Sequence, residues 1–301
     1  MNTKLLTGFI PLVILAGSII ITYIFGHVYK FSKKGRRSPL IRQLLRSPGE
    51  SLRTQIEDIT VDIIFFLMSL FVIPLLFYSI YLSQILGGGK AGTPVIILSA
   101  IASFVSCTIK LWKLFKLRNR LSLGLDCELA VGQELNHLML EGCRVYHDFP
   151  AEKFNIDHVV VGPRGVFAVE TKGRAKPRKE HKEEKERGGE KTEIVYDGEV
   201  LNFPGWQEKE PLEQARRQAE WLSKWLSSAV GENISVQPVL SFPGWSFNQK
   251  KKDDLIFLYG KPTFLAKPLN DEALSKSLIQ RIAHQLEQRC RDVEPVAYSK
   301  K

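Results

Sequence analysis

Hydrophobic and polar positions divide the chain into two parts with different periodicity. Long apolar runs dominate as far as about residue 112, and from about residue 121 short segments of alternating and helical periodicity follow. A helix needs about 20 apolar residues to cross a bilayer, whereas alternation over about four to eight residues is typical of strands. The pattern therefore predicts an α-helical membrane region followed by an α/β domain.

Three apolar runs are long enough to be transmembrane helices. They cover about residues 5–29, 61–86 and 94–112, and the turn "GGGKAGT" at 87–93 separates the last two. A signal peptide is the alternative for the first run, but its apolar part exceeds a normal h-region and most of its flanking charge follows it. We therefore expect a membrane anchor of about three spans over residues 1–120.

The basic residues give this anchor an orientation. The net charge is +10, yet residues 121–301 hold 27 Lys and Arg against 28 Asp and Glu, so the excess lies in residues 30–60 and 110–120. Positive charge concentrates in cytoplasmic loops. We therefore expect a multi-pass protein of the cytoplasmic (inner) membrane, with its N-terminus outside and its C-terminal domain in the cytoplasm. Residues 38–60 could lie on the membrane surface, with lipid contact as the alternative role of their arginines.

The second part contains the elements of a mixed α/β domain. Residues 123–142 predict a helix that ends at Gly142, and "GPRG" predicts a turn between two strands. The order of the elements indicates a mixed sheet flanked by helices, with a domain at 121–268 and a C-terminal helix and tail at 269–301. The predicted strands are "CRVYHDF", "FNIDHVVV", "GVFAVETK", "IVYDGEVLNF", "SVQPVLSFPG" and "DLIFLYGKPTFLAKP", and the later helices are "PLEQARRQAEWLSKWLSSAVG" and "NDEALSKSLIQRIAHQLEQRC", the last with Asn270 as its N-cap.

Two features of composition complete the outline. The charged insertion at 174–193 mixes Lys and Arg with Glu, which is typical of a solvated loop, and a phosphate-contacting arm is the alternative.

The cysteines have no C-x-x-C pairing and no histidine at metal-binding spacing, so a disulfide scaffold or structural zinc site is disfavoured and reduced, buried thiols are expected. These cysteines are Cys107, Cys127, Cys143 and Cys290.

The stretch "NIDHVVVGPRGVFAVETKG" places charges on strands that otherwise look buried. If Val161 faces Val166 across the turn, Asp157 faces Glu170, and directly opposed side chains share a face. Lys172 lies two residues further on and points to the same face as Glu170. Two carboxylates and one amine should therefore converge at one end of the hairpin.

Opposed carboxylates on one strand pair repel each other unless something positive lies between them. A divalent cation would satisfy both, and two carboxylates plus water suit Mg²⁺. A salt-bridge cluster of Lys172, Glu170 and Asp157 is the alternative that the residues leave open. Glu128 lies within the apolar stripe of its helix, so we expect a third carboxylate directed into the domain.

The helix at 211–231 carries Gln214 and Gln218 on one face, together with Trp221 and Trp225. A half-exposed polar edge is the simplest interpretation of the two glutamines, and a position in the site is the alternative. The chain also contains "FPGW" twice, at 203–206 and 242–245. Turn formation with a packed aromatic ring explains both copies.

These residues resemble a known family. "GLDCELAVGQEL", then "NIDHVVVGPRGVFAVETKG", then "PLEQARRQ" is similar to the NERD (nuclease-related) domain of the PD-(D/E)XK nuclease superfamily. The resemblance covers about residues 121–245, with 268 as its outer limit, and it excludes the apolar runs. It implies a restriction-endonuclease-like mixed sheet. Cys127, where the family commonly has glycine, and the insertion at 174–193 depart from the family pattern.

The resemblance implies a metal-dependent nuclease that hydrolyses phosphodiester bonds of nucleic acid, with DNA favoured over RNA. It assigns catalysis to Asp157, Glu170, Lys172 and Gln214. Glu128, Asp157, Glu170 and the Thr171 carbonyl would hold Mg²⁺ or Mn²⁺. The lipid bilayer is the second expected partner, and a protein partner cannot be identified.

Two further functions stay open, and a third is disfavoured. The domain could be a nucleic-acid-binding module without turnover, which its near-neutral charge favours because phosphate-binding proteins usually have a basic face. It could also dock a protein through exposed tryptophans. A channel or transporter is disfavoured, because the spans contain few ionisable groups, with Asp62 and Lys110 near their ends. The tryptophans considered as anchors are Trp206, Trp221, Trp225 and Trp245.

Overall fold

The computed structural model describes residues 14, 17, 21, 24, 42–87, 93–176, 193–268 and 273–293. Contacts between residues divide the chain into two compact units. One comprises residues 1–39, 55–120 and 296–301, and the other comprises residues 40–54 and 121–295. The expected span at 5–29 lies outside the described residues apart from four single positions, and most of the charged insertion at 174–193 also lies outside them.

Two long helices account for the apolar half of the chain. Helix α1 spans Glu50–Leu86 and helix α2 spans Thr93–Asn136. The apolar windows have a mean hydropathy of 2.6 and 1.9, and only 11% of each window is buried, so the helices expose apolar side chains. By length and composition both helices could cross a membrane. The described residues therefore support two candidate spans rather than three.

Helix α2 is longer than the sequence suggests. The predicted span at 94–112 and the predicted helix at 123–142 belong to one helix, because the intervening basic segment contains no proline and no helix-ending glycine. A 3₁₀ turn at His137–Glu141 follows. The turn ends, as predicted, at Gly142, whose φ of 87° is accessible to glycine at little cost.

The second unit is built on two sheets rather than the single mixed sheet expected from sequence. The larger sheet has the order β1-β2-β3-β7-β9, with antiparallel pairing from β1 to β3 and parallel pairing from β3 to β9. The smaller has the order β6-β5-β4-β8. The strands are β1 Arg144–Pro150, β2 Asn155–Gly162, β3 Gly165–Thr171, β4 Glu193–Tyr196, β5 Leu201–Phe203, β6 Trp206–Glu208, β7 Val236–Ser241, β8 Ser246–Gln249 and β9 Ile256–Leu258.

The hairpin of β2 and β3 has the predicted register. Val161 pairs with Val166, and the pairing continues to His158 opposite Val169. Asp157 and Glu170 are the next residues along their strands, beyond the last of these pairs. Side chains alternate between the two faces of a strand, so this register directs both acids to one face of the sheet.

Helices cover both faces of the larger sheet. Helix α3 spans Glu210–Val230 and helix α4 spans Lys276–Cys290, and apolar residues of both pack against Val159, Val161 and other residues of one face. The last turns of α2 pack on the opposite face. The core is therefore formed by helices on both sides of a sheet, which is a common layer arrangement of α/β domains.

Helix α4 begins later than the sequence suggests. Ser275 is its N-cap, and the Ser275 hydroxyl accepts a hydrogen bond from the backbone N–H of Leu278. The predicted cap, Asn270, lies outside the described residues. All four cysteines are free, and three of them are buried.

Residues 42–54 pack on the α/β domain. Leu44 exchanges two backbone hydrogen bonds with Val293, and the backbone N–H of Arg46 donates to the carbonyl of Cys290. The Arg46 side chain forms ion pairs with Asp148 and Asp292. Arg46 therefore pairs with protein carboxylates, and the lipid contact considered for the arginines of this segment does not apply to it.

Candidate functional site

Lys172 forms the centre of a compact polar cluster at the end of β3. Its ammonium lies 2.8 Å from Oε1 of Glu170 and donates a 2.7 Å hydrogen bond to Oε1 of Gln214. The Gln214 amide donates back to Oε1 of Glu170 at 2.8 Å. Lys172 and Glu170 thus share one face, as the strand alternation predicts, and they form a salt bridge. Of the three-residue salt-bridge cluster considered as the alternative, the described residues show this pair, and Asp157 bonds to the Thr171 backbone instead.

Gln218 completes the environment of Glu170. Its amide donates to Oε2 of Glu170 at 2.6 Å and to the carbonyl of Asn155 at 3.2 Å. Gln218 is 2% exposed, so the half-exposed polar edge expected as its simplest interpretation is wrong. The four-residue spacing of Gln214 and Gln218 was the available signal, since residues i and i+4 lie on one face of a helix.

Asp157 is anchored to the end of β3 by the backbone. Its Oδ2 accepts a 2.7 Å hydrogen bond from the N–H of Thr171. Burial raises the pKa of Asp157 well above its usual range, and the Glu170 and Glu128 carboxylates raise it further. The charges of Glu170 and Glu128 therefore add to the effect of burial in disfavouring the ionised form of Asp157.

Glu128 is directed into the domain, as its position in the helical stripe predicts. It is 8% exposed and is therefore one of the buried charged side chains among the described residues. Its pKa is raised to about 8, first by burial and then by repulsion from Asp148 and Glu170. The ionised form of Glu128 is therefore destabilised in the folded protein.

The charge balance of the cluster is negative. Glu128, Asp157 and Glu170 all have raised pKa values, and burial is the largest cause in each case. Lys172 lowers the pKa of all three, so it offsets part of the repulsion. Further positive charge would stabilise all three ionised acids.

The oxygen donors of this cluster are of the type that Mg²⁺ prefers. Mg²⁺ is commonly held by one or two carboxylates together with water and substrate phosphates. Within the part of the chain that the structure describes, no group of three or more His, Cys, Asp or Glu side chains is arranged to hold a metal ion. The residues thus fit a metal bound through two carboxylates and solvent, and they do not form a closed cage.

Cys127 lies close to the backbone that follows Lys172. A Cβ atom placed on Gly173 would be 3.1 Å from the Cys127 sulfur and 3.1 Å from the Leu123 carbonyl. Since real Cβ atoms rarely approach so closely, Gly173 lets the chain pass close to α2 immediately after Lys172. The cysteine that departs from the family pattern is therefore accommodated at this close approach.

Asp148 forms a second buried polar centre that the sequence did not indicate. It has no partner in the β1–β2 pairing, and its φ of 47° is unusual for a residue other than glycine. Its carboxylate accepts hydrogen bonds from Arg46 at 2.7 Å, from the Ser51 backbone at 2.9 Å and from Asn155 at 3.1 Å. It thereby fixes residues 42–54 beside the carboxylate cluster.

The tryptophans are less available than the docking hypothesis requires. Trp245 is 2% exposed, and Trp206, Trp221 and Trp225 are half-buried. Both "FPGW" copies form turns with glycines at positive φ, Gly205 at 98° and Gly244 at 84°. The two turn tryptophans pack edge to face, 6.1 Å apart, so the turn interpretation of the repeat is confirmed.

A mixed sheet covered by helices, with two acids and a lysine at the end of one hairpin and a third acid on a neighbouring helix, is consistent with a nuclease-like α/β domain. Residues 123–243 match the model of the NERD family, the nuclease-related domain. This segment of the chain is a NERD domain, and the resemblance stated from sequence is confirmed. Comparisons with curated proteins and with solved structures gave no match. The matched segment contains all of the candidate site residues.

Proposed function

We propose that this protein is a membrane-anchored, metal-dependent nuclease that hydrolyses phosphodiester bonds of nucleic acid, with DNA the favoured substrate. One observation carries the proposal: within a nuclease-related domain, Lys172 is held by Glu170 and Gln214 near the partly buried Asp157 and the buried Glu128. Perturbed acids around a fixed cation, at the end of a strand, are typical of catalytic sites.

Asp157, Glu170 and the Thr171 carbonyl are the proposed ligands of Mg²⁺ or Mn²⁺, with Glu128 in or near the shell of the ion. When bound, such an ion neutralises the phosphate, lowers the pKa of a water and stabilises the leaving oxygen. The raised pKa values of the acids favour the proposal, since a cation there would stabilise their ionised forms.

The protein's own residues position the reactants. The Lys172 ammonium can orient the attacking water and stabilise negative charge that develops on the phosphate. The Gln214 amide fixes this ammonium at 2.7 Å, and Gln218 holds the Glu170 carboxylate from the other side. A rigid cluster of this kind needs little reorganisation when charge develops in the transition state.

Catalysis is tested with the full chain purified in detergent and supplied with single- and double-stranded DNA and RNA. Cutting should require Mg²⁺ or Mn²⁺ and stop on chelation. Lys172→Met and Asp157→Asn should each lower the rate by about 100-fold or more. Lys209→Met is the matched control, since Lys209 is exposed and pairs only with Glu213 of its own helix. An inert protein on all substrates, or a Lys172→Met variant that cuts normally, would overturn the proposal.

The membrane anchor is the second part of the proposal. Helices α1 and α2 supply the candidate spans, and the basic residues that flank them favour a cytoplasmic location for residues 121–301 and an external N-terminus. Protease treatment of sealed inner-membrane vesicles of each orientation tests this topology. The domain should be cleaved only where the cytoplasmic face is outward, and cleavage from the opposite face would contradict it.

A nucleic-acid-binding module without turnover is the second candidate. It is favoured by the saturation of Glu170, whose two oxygens already accept from Lys172, Gln214 and Gln218. Under this alternative, the full chain binds nucleic acid equally well with and without chelator, and no product appears. Gel-shift and cleavage assays on the same samples separate the two candidates.

A further inference from the structure

A cavity of about 340 Å³ lies at the same edge of the larger sheet as the carboxylate cluster. It lies where β7 and β9 end, and both strands run parallel to β3. In open α/β sheets, ligands bind in the crevice outside the carboxyl ends of the parallel strands. The volume is within the range of about 300–1,000 Å³ found for small-molecule sites.

Strand β7 and helix α2 line the cavity and also contribute to the surroundings of the cluster. Ser241 lines the cavity, and its carbonyl accepts a 2.9 Å hydrogen bond from the backbone N–H of Lys172. Val131 and Glu134 line the cavity from α2, one and two turns after Glu128. Lys172 and Glu170 contact α3 on the other face of the sheet, so the cavity and the cluster lie at the same edge of the sheet but on different faces.

The lining is apolar inside and polar at the rim. Trp245 is 2% exposed and Leu258 is 4% exposed, so both are fixed in the core. Tyr259 is 55% exposed; its ring lies 6.1 Å from that of Phe247 and presents its exposed side to solvent. Glu134 and Lys261 are exposed and supply one acceptor and one cation. An apolar interior with an exposed aromatic ring and opposite charges suits a planar base that carries hydrogen-bonding edges and a phosphate.

We propose that this cavity binds a nucleotide unit of the nucleic acid that is held at the carboxylate cluster. The base stacks on Tyr259, its exocyclic amino group donates to Glu134, and the adjoining phosphate pairs with Lys261. The proposal rests on the proposed nuclease function for the link between this nucleotide unit and the carboxylate cluster. It predicts a preference for adenine, cytosine or guanine, which carry amino groups, over thymine and uracil at that position.

Binding of nucleoside 5′-monophosphates to the full chain in detergent tests the cavity independently of cutting. Titrations are made at millimolar ligand, with chelator present, by calorimetry and tryptophan fluorescence. CMP and AMP should bind more tightly than UMP. Tyr259→Leu should weaken binding about 10-fold, because stacking on an aromatic ring is worth about 1–3 kcal/mol per base. Tyr259→Phe, which keeps the ring, should bind as wild type.

Matched variants separate the contributions of the rim. Tyr78→Leu is the control, because Tyr78 is as exposed as Tyr259 and lies far along the chain in α1. Lys261→Met should weaken binding of the monophosphates and leave binding of the unphosphorylated nucleosides unchanged. Glu134→Gln should abolish the preference for CMP over UMP.

The outcomes distinguish this inference from the nuclease proposal. If monophosphate binding depends on Tyr259 but the protein cuts no nucleic acid, the cavity assignment is supported and the nuclease proposal is contradicted. The cavity assignment is overturned if the protein cuts nucleic acid but binds no monophosphate. It is also overturned if the Tyr259→Leu variant, with unchanged thermal stability, binds the monophosphates as well as wild type does. A protein that binds AMP, CMP and UMP with equal affinity contradicts the role of Glu134.

Discussion

Gln218 donates a 2.6 Å hydrogen bond to Oε2 of Glu170, and both side chains are 2% exposed. The bond links the middle of α3 to the end of β3. It supplies a donor to a carboxylate whose other oxygen already accepts from Lys172 and Gln214. The candidate site is therefore held together by two turns of α3 as much as by the hairpin itself.

Gln218→Leu should destabilise the protein by about 1–3 kcal/mol, because it leaves a buried carboxylate oxygen without its donor. Thermal unfolding of the full chain in detergent measures this. The control is Gln207→Leu, since Gln207 is exposed and bonds only to Asn202, and it should change the stability by less than about 0.5 kcal/mol. Equal effects of the two substitutions would contradict a structural role of the buried bond.

Glu128 should make stability depend on pH. Its folded pKa of about 8 lies above its ordinary value of 4.5. Between these values the unfolded chain has released a proton that the folded chain keeps, so rising pH favours unfolding, and the full penalty is reached above about pH 8. The glutamine of Glu128→Gln cannot titrate. Without metal, the free energy of unfolding of this variant relative to wild type should therefore increase as pH rises from about 4.5 to about 8.

The magnitude should be several kcal/mol, since each unit of pKa shift corresponds to about 1.4 kcal/mol. Part of the gain arises because removal of Glu128 also relieves the repulsion on Asp157. Melting curves of both proteins in chelator at acidic and alkaline pH give the measurement. Glu141→Gln is the control for the loss of one carboxylate at an exposed position.

Arg46→Ala should cost about 3 kcal/mol, because breaking a buried ion pair leaves the charge of its partner uncompensated. Arg46 lies 2.7 Å from Oδ2 of Asp148, whose side chain is 4% exposed. Arg281→Ala is the control, since the pair of Arg281 with Glu232 is half-exposed and should contribute about 0–1 kcal/mol. Denaturant unfolding followed by tryptophan fluorescence compares the two, and a loss no larger than that of the control would be the contrary result.

Gly132→Ala should destabilise the protein although alanine favours helices by up to about 1 kcal/mol over glycine. The new Cβ would lie 2.7 Å from Cγ of Pro48, and overpacking of this kind costs about 1–3 kcal/mol. Gly124→Ala, in the same helix, meets only the flexible end of Leu52 at 3.3 Å and should be neutral or stabilising. Melting temperatures of the two variants should therefore change in opposite directions or differ clearly in size.

Much of the candidate site could be predicted because it is local in sequence. A tight turn and strict alternation fix the register of β2 and β3, and the register places Asp157, Glu170 and Lys172 together. The helical stripe likewise directs Glu128 inward. Each of these inferences uses a period of two or 3.6 residues over a short segment, which neighbouring residues determine by themselves.

The remaining features depend on contacts between distant parts of the chain. The separate sheet of β4, β5, β6 and β8 brings together segments up to about 50 residues apart. The bond of Gln218 to Glu170 and the pair of Arg46 with Asp148 join residues separated by 48 and 102 positions. Polarity alone does not show which buried partner such a residue finds.

The sequence by itself determined the apolar helices, the charged hairpin and the family of residues 123–243, because short-range periodicity and motif spacing encode them directly. Only the tertiary structure decided which side chains donate hydrogen bonds to Glu170. It also decided how residues 42–54 pack beside Glu128 and where a cavity lined by Ser241 opens. Those features arise from the packing of helices on a sheet, and packing is set by the shapes of residues far apart in the chain.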